Sequence, residues 1–228
     1  MPVQKHIFQD IDADLAHIES LVDLVWGLVK NQWQSVMLAL QTREPVLAAD
    51  TASREDSIDD LSREIERGTV RFLALRQPLA GDLRFIIAAL HISIELERIG
   101  DYGANIIKRS ALTRPGADAA DVDSVPKMAG MVLQMLDDLY QDYKGKSLSL
   151  SEGVIARDNE LSALYEQVFE DLRAQMARDR DLIETCTELL FIARNIERSG
   201  AHAKNIAKHL YCLSTGVAFK ERQGNEPA

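Results

Sequence analysis

The chain has 228 residues, 46% of them hydrophobic but only 6% aromatic, with 12 glycines and 6 prolines, a balance that supports a sizeable core and favours helices over a β-sandwich. Acidic residues outnumber basic ones, 36 to 26, for a formal charge of −10; with no basic block to displace counterions from phosphates, no nucleic-acid partner is expected. The longest apolar runs, such as FIIAAL, are too short to span a bilayer, the N-terminus is polar and acidic, and the sparse cysteines Cys186 and Cys212 suit a reducing compartment, so a cytoplasmic protein without membrane insertion is expected.

The first predicted helix is about 35 residues long, because Ile11, Leu15, Ile18, Val22, Val25, Val29, Val36 and Leu40 recur at steps of three and four. Trp26 and Trp33, one heptad apart on it, suit packing between helices. Pro45 is placed at the turn that follows, in the opening of the next helix. A second stripe runs through Ile58, Leu61, Ile65, Val70 and Phe72 and stops at RQPLAGD, where Pro78 and Gly81 punctuate. The third helix is predicted from about 82 to 110, with Phe85, Ala89, Ile92, Leu96, Ile99, Gly103 and Ile106 inward.

The stretch TRPGADAADVDSVP, residues 113–126, has two prolines, a glycine and no apolar period, and reads as a linker. The pattern then restarts. Met128, Val132, Met135 and Leu139 mark a fourth helix ending near Lys144–Gly145. A fifth covers about 149–178, with Leu161, Leu164, Val168 and Leu172 inward. A sixth covers about 181–214, with Leu189, Ile192, Ile196, Ala203, Ile206 and Leu210 inward. Both cysteines fall on this last helix, roughly 39 Å apart at 1.5 Å per residue, too far to pair within one chain.

Late in the third and sixth helices one phrase occurs twice. ELERIGDYGANI at 95–106 is answered by NIERSGAHAKNI at 195–206, with Glu, Arg, Gly, Asn and Ile shared at an offset of 100. The expected fold is all-α, two tandem three-helix bundles related by internal duplication. The first bundle spans 1–112 and the linker 113–126. The second bundle spans 127–215, and a flexible tail is expected over 216–228. A single irregular six-helix domain is the alternative. Gly100 and Gly200, inside helices, suggest close approach of a neighbouring helix, since glycine there costs about 1 kcal/mol relative to alanine.

Glu97 and Asp101, at i and i+4, share one helical face on the flank of the apolar stripe, and Glu55 and Asp59 do the same on the second helix. Four carboxylates converging from adjacent helices repel one another, and a hard cation such as Mg, Mn, Fe or Ca relieves that. Acidic pairs are also common on solvated helices, where Arg54, Arg63 and Arg98 are available to pair with them. In the second repeat the corresponding positions are Asp158 with Ser162 and Glu197 with Ala201, so each pair loses one acid. His202 beside Ala201 is expected to be a partly exposed helix residue rather than a ligand. No Glu-x-x-His pair, phosphate-cradling glycine loop, GxSxG or CxxC is present, so no catalytic residues are assigned.

The segments RQPLAGDLR at 76–84, ELERIGDYGANI at 95–106, DNELSALYEQVF at 158–169 and NIERSGAHAKNI at 195–206, with the duplicated layout, make the chain similar to the PhoU family of bacterial phosphate-transport accessory and regulatory proteins. The resemblance implies paired three-helix bundles that can carry metal clusters on acidic faces. By position it points to Glu55, Asp59, Glu97 and Asp101 as ligands in repeat one, and to Asp158 and Glu197 in repeat two, where Ser162 and Ala201 break the motif. The implied metal is Fe, Mn, Zn or Mg. The resemblance also implies a non-enzymatic negative regulator of the phosphate-starvation response. Its implied partners are the ATPase subunit of the phosphate ABC transporter, a sensor histidine kinase and a second copy of itself in a homodimer. Two rival readings are a metal-dependent carboxylate-bundle enzyme and a metal-free helical adaptor.

Overall fold

In a computed structural model of the chain, residues 3–42, 48–112 and 124–219 are described, with side chains from residue 11 in the first helix and from residue 50 in the second. Six α-helices fill the described residues, with no strand among them. They are α1 (Val3–Thr42), α2 (Ala48–Arg76), α3 (Ala80–Ser110), α4 (Ser124–Gly145), α5 (Ser151–Arg178) and α6 (Ile183–Thr215), with a short 3-10 turn at Arg180–Leu182 before α6. Most of the predicted linker, 113–123, and Pro45 lie outside the described residues. Residues 124–126 belong to α4 instead, and Pro126 is tolerated there because the first helical turn has no internal partner for its missing N–H.

The turns follow local chemistry. α2 ends as Gln77 adopts a left-handed conformation, φ 46°, directly before Pro78, a residue that cannot continue the helix. Gly216, φ 73°, closes α6 with its N–H on the Cys212 carbonyl. Cys186 and Cys212 both lie on α6 as free thiols.

α1 and α4 form one pair, α3 and α6 another, while α2 packs on α1 and α3 and α5 packs on α4 and α6. The apolar stripes merge into one continuous core that includes Val25, Val29, Leu96, Ile99, Met135 and Ile196, all fully buried. The two tryptophans divide their work. Trp26 donates from Nε1 to the Leu136 carbonyl of α4 at 3.3 Å and lies against Tyr143, ring centroids 5.6 Å apart, so it joins the bundles. Trp33 donates to the Ile99 carbonyl of α3 at 3.1 Å and ties the first bundle internally.

On α2 the inward face differs from the predicted stripe. Val70 is 62% exposed, and Thr69 is buried in its place, so the face runs Ile58, Ser62, Ile65, Thr69, Phe72. That is a strict 4-3-4-3 step, and Val70 falls one position outside it. The small residues Ser62 and Thr69 leave room for close helix packing.

Gly100 and Gly200 sit at helix contacts, as expected. A Cβ on Gly100 would lie 3.1 Å from Ile58 Cδ1 and 3.6 Å from Val29 Cγ2; one on Gly200 would collide with Leu161 and lie 3.5 Å from Asp158 Oδ1. Gly100→Leu is expected to destabilise the chain by about 1–3 kcal/mol through overpacking. Urea unfolding checks this, and an unchanged midpoint would mean that the Ile58 side chain swings aside freely.

Candidate functional site

Helix register puts Glu55 and Asp59 of α2 on the edge that faces Glu97 and Asp101 of α3. The four acids sense one another. The carboxyl of Glu97 is raised above the ordinary range, first by burial and then by the negative charges of Asp59 and Asp101. That of Asp101 is raised by burial and by Asp59 and Glu55, against the opposing pull of Arg98 and Lys108. Raised carboxylates mean that the folded state holds these groups charged at a cost near neutrality.

Cations from the same helices moderate that cost. Lys108 donates to Glu55 Oε2 at 3.0 Å. Arg63 reaches Asp59 at 3.4 Å and Asp60 at 2.7 Å, and Arg98 lies 3.7 Å from Asp101. No group of three or more His, Cys, Asp or Glu side chains is gathered around one point among the described residues. By residue type the four carboxylates are hard oxygen donors, two with raised pKa, and as they stand Lys108, Arg63 and Arg98 supply the neutralising charge.

Repeat two differs. Asp158 of α5 is only 5% exposed, and its Oδ2 accepts from Lys204 Nζ of α6 at 2.9 Å. Glu197 pairs with Arg194 one turn earlier, at 3.0 Å. In both repeats a lysine of the third helix holds the first acid of the second helix, Lys108 on Glu55 and Lys204 on Asp158. The two lysines are one turn out of register with the offset of 100.

A dense polar cluster lies where α3 meets α6, and no sequence motif marked it. His202 Nδ1 lies 2.5 Å from Glu95 Oε2, Asn205 donates to both Glu95 oxygens at 3.3 and 3.4 Å, and His209 Nε2 is 3.8 Å from Oε1. Burial alone would raise Glu95, but these hydrogen bonds and the His202 charge outweigh it and hold its carboxyl at about 2. His202, expected to be a partly exposed helix residue, is such a residue with a defined partner. A sequence signal did exist: His202 and His209 are seven apart, on the same face of α6, and Glu95 faces them from the repeat-related helix.

The partners run in opposite directions along the two helices. His91 stacks on His209 with centroids 4.8 Å apart, and Arg198 sits over the Tyr102 ring at 5.0 Å. Arg109 lies over Phe191 at 4.3 Å and pairs with Glu188 at 2.8 Å. Positions 91 and 191, and 109 and 209, exchange places between the helices, so the seam has approximate two-fold symmetry.

The duplication recurs in the comparisons with known proteins. The model of the PhoU domain matches the chain twice, over residues 24–110 and 125–210. The chain belongs to the PhoU family. PhoU relatives include the phosphate-specific transport system accessory protein PhoU homologue of Caulobacter vibrioides, 37% identical over 213 residues, 93% of each chain. The homologue of Zymomonas mobilis is 36% identical over 217 residues, 95% of this chain and 92% of that one. The crystal structure of PhoU from Pseudomonas aeruginosa superposes with a TM-score of 0.86 at 28% identity, covering 90% of this chain and 99% of that one. The phosphate transport system regulatory protein PhoU of Streptococcus pneumoniae gives 0.83 at 26% identity, covering 92% and 100%. The PhoU fold thus accounts for both bundles, and no helix among the described residues is long and apolar enough to cross a membrane.

Proposed function

We propose that this chain is a non-enzymatic cytoplasmic regulator of phosphate uptake that holds the phosphate-starvation response off when phosphate is plentiful. It does so by contacting the ATPase subunit of the phosphate ABC transporter and a sensor histidine kinase. The observation that carries this reading is the twofold PhoU match together with relatives named as phosphate transport accessory proteins. The helical surfaces and the absence of a nucleophile–base arrangement in the sequence motifs support an adaptor over the carboxylate-bundle enzyme. A homodimer is part of the proposal, checked by light scattering on the purified chain.

The test is alkaline phosphatase activity, a starvation-gene readout, in phosphate-rich medium. Deletion of the gene raises it severalfold and a plasmid copy restores it. Low activity in the deletion strain would sink the regulatory reading while leaving the fold intact.

The proposal also assigns a divalent or trivalent metal, Fe, Mn, Zn or Mg, to Glu55, Asp59, Glu97 and Asp101. When bound, such a cation supplies positive charge that fixes α2 against α3. Repeat two receives no such assignment, because Ser162 and Ala201 leave only Asp158 and Glu197 as acids there, and these are paired with Lys204 and Arg194.

Glu97→Gln with Asp101→Asn separates this from a metal-free adaptor. The double variant loses the metal measured by elemental analysis of untagged protein. In chelator it is slightly more stable than the parent at pH 7. Groups with raised folded pKa lose stability as pH rises through that value, so neutral isosteres remove a penalty. Like-charge pairs of this kind cost roughly 0.2–0.5 kcal/mol, about 1 °C at this chain length. Equal metal in parent and variant would remove the site.

A further inference from the structure

α3 meets only α1, α2 and α6, and α6 meets only α3, α4, α5 and the 3-10 turn, so the outer side of the α3–α6 pair is open among the described residues. It is apolar along its length. Leu83, Ile87 and Ile94 of α3 are 41%, 37% and 44% exposed, and Ile183 and Phe191 of α6 are 45% and 48% exposed. Large side chains of this kind are normally scattered over a surface; here they follow one helical edge and its repeat counterpart. A cleft of about 270 Å³ opens between the helices, lined by Leu83, Ile87, Ala88 and Leu213 with His91 and His209.

The charge of this face opposes that of the molecule. The chain carries −10 overall, yet Arg84, Arg98, Arg194 and Arg198 stand exposed along it. Of the carboxylates near the seam, Glu95 is turned onto His202 and Glu188 onto Arg109, while Glu184 stands exposed beside Ile183. Asp101 and Glu197 lie at the edges, paired with Arg98 and Arg194. A trough between two antiparallel helices accepts a third helix along its axis, with anchor side chains at steps of three and four. Guanidinium groups flanking the trough select acids on either side of those anchors and give the encounter its orientation. A second copy that presented this same face would set its arginines against these, so an isologous pairing here is disfavoured.

From the exposed apolar edge, the cleft and the arginines, we propose that the outer α3–α6 face is the docking surface for an acidic amphipathic helix of a partner protein. This rests on the reading of the chain as a partner-binding regulator and assigns the surface and the kind of segment it takes.

The test places the photo-crosslinker p-benzoylphenylalanine at Ile87, or at exposed Val70 of α2 as an off-face control, in the full chain in its own cells. Mass spectrometry then identifies the cross-linked peptide. The expected product at Ile87 is a protein segment with apolar residues every three or four positions and Asp or Glu between them. Arg198→Glu lowers its yield about tenfold, the effect of roughly 1.4 kcal/mol of lost charge complementarity, with the thermal unfolding midpoint unchanged.

The proposal is overturned by products that are phospholipid, a second copy or a segment without acidic residues. It is overturned equally by no product above the Val70 control, or by a yield that Arg198→Glu leaves intact. A deletion strain with normal starvation signalling sinks the regulatory reading. Normal regulation in the parent with a non-acidic product at Ile87 sinks only the docking surface.

Discussion

Trp33→Ala should lower the stability of the chain by about 3–5 kcal/mol, the range for deleting a fully buried aromatic side chain. At this chain length that is on the order of 10 °C in the thermal midpoint. The indole is 0% exposed and lies where α1 approaches α3 most closely. A Cβ added to Gly103 would be only 3.4 Å from Trp33 Nε1 and 3.0 Å from Gln32 Cγ, so the glycine exists to admit these two side chains. Trp33 then bonds the Ile99 carbonyl and Gln32 the Gly100 carbonyl, each at 3.1 Å. Alanine leaves a cavity that α3 cannot fill, because Val29 and Ile58 already hold its position through Gly100. Trp33→Phe retains most of the volume and should cost less, the larger part being the lost hydrogen bond at about 1 kcal/mol. Equal losses for the two variants would show that the indole N–H, and not its bulk, holds the helices.

Asp142→Ala should cost about 3 kcal/mol, and its effect should depend on pH. Asp142 is 1% exposed near the end of α4, and α5 has no side-chain cap of its own. The Asp142 carboxylate serves instead. Its Oδ2 accepts from the backbone N–H groups of Leu150 and Ser151 at 3.0 and 2.7 Å and from Ser151 Oγ at 2.6 Å. Its Oδ1 accepts from Ser147 Oγ at 2.5 Å and Ser149 Oγ at 3.4 Å. Burial would raise this carboxyl, but the bonds from Ser147, Ser151 and Leu150 outweigh it and hold it below the ordinary value. Removing it strands the buried N–H and hydroxyl of Ser151, each costing roughly 1–3 kcal/mol unpaired, and withdraws negative charge from a helix N-terminus.

The sign for Asp142 follows from its lowered pKa. The stabilisation is fully present above the unfolded aspartate value of about 3.9 and is lost as pH falls through the folded value. The gap between parent and Asp142→Ala should therefore be constant from pH 7 to about 5 and close in stronger acid. A gap that stays constant throughout acid unfolding would assign the effect to packing alone.

Helix order, the duplication and the inward faces were readable because each depends on spacing within one helix. Ile18 to Leu40, Leu96 to Ile106 and Ile192 to Leu210 announce their burial through a local period that tertiary packing has no reason to alter. The shared face of Glu55, Asp59, Glu97 and Asp101 was readable for the same reason. Thr69 was not, because a small polar residue at an inward position is chosen by the closeness of the neighbouring helix, and Val70 beside it carries the stronger apolar signal. Glu95 and Asp142 were also missed. Their partners come from another helix or turn, and a carboxylate buried by partners has the same letter as one bathed in water. Lys204 on Asp158 belongs to this class: the acid was found by its offset of 103 from Glu55, but the lysine that neutralises it follows no repeat rule.

A seam in which position 91 meets the repeat-partner of 109, and 109 the repeat-partner of 91, has the geometry of an isologous contact, the kind made by two identical subunits about a two-fold axis. Here both halves lie on one chain. His91 on His209 and Phe191 under Arg109 fill the two equivalent places of that contact with different residues. The halves are held by the α1–α4 and α3–α6 surfaces, with Trp26 bridging to Leu136, so covalent continuity between Ser110 and Ser124 is not what joins them. Two fragments divided in that interval should recombine into the intact architecture, the two repeats then meeting as separate chains.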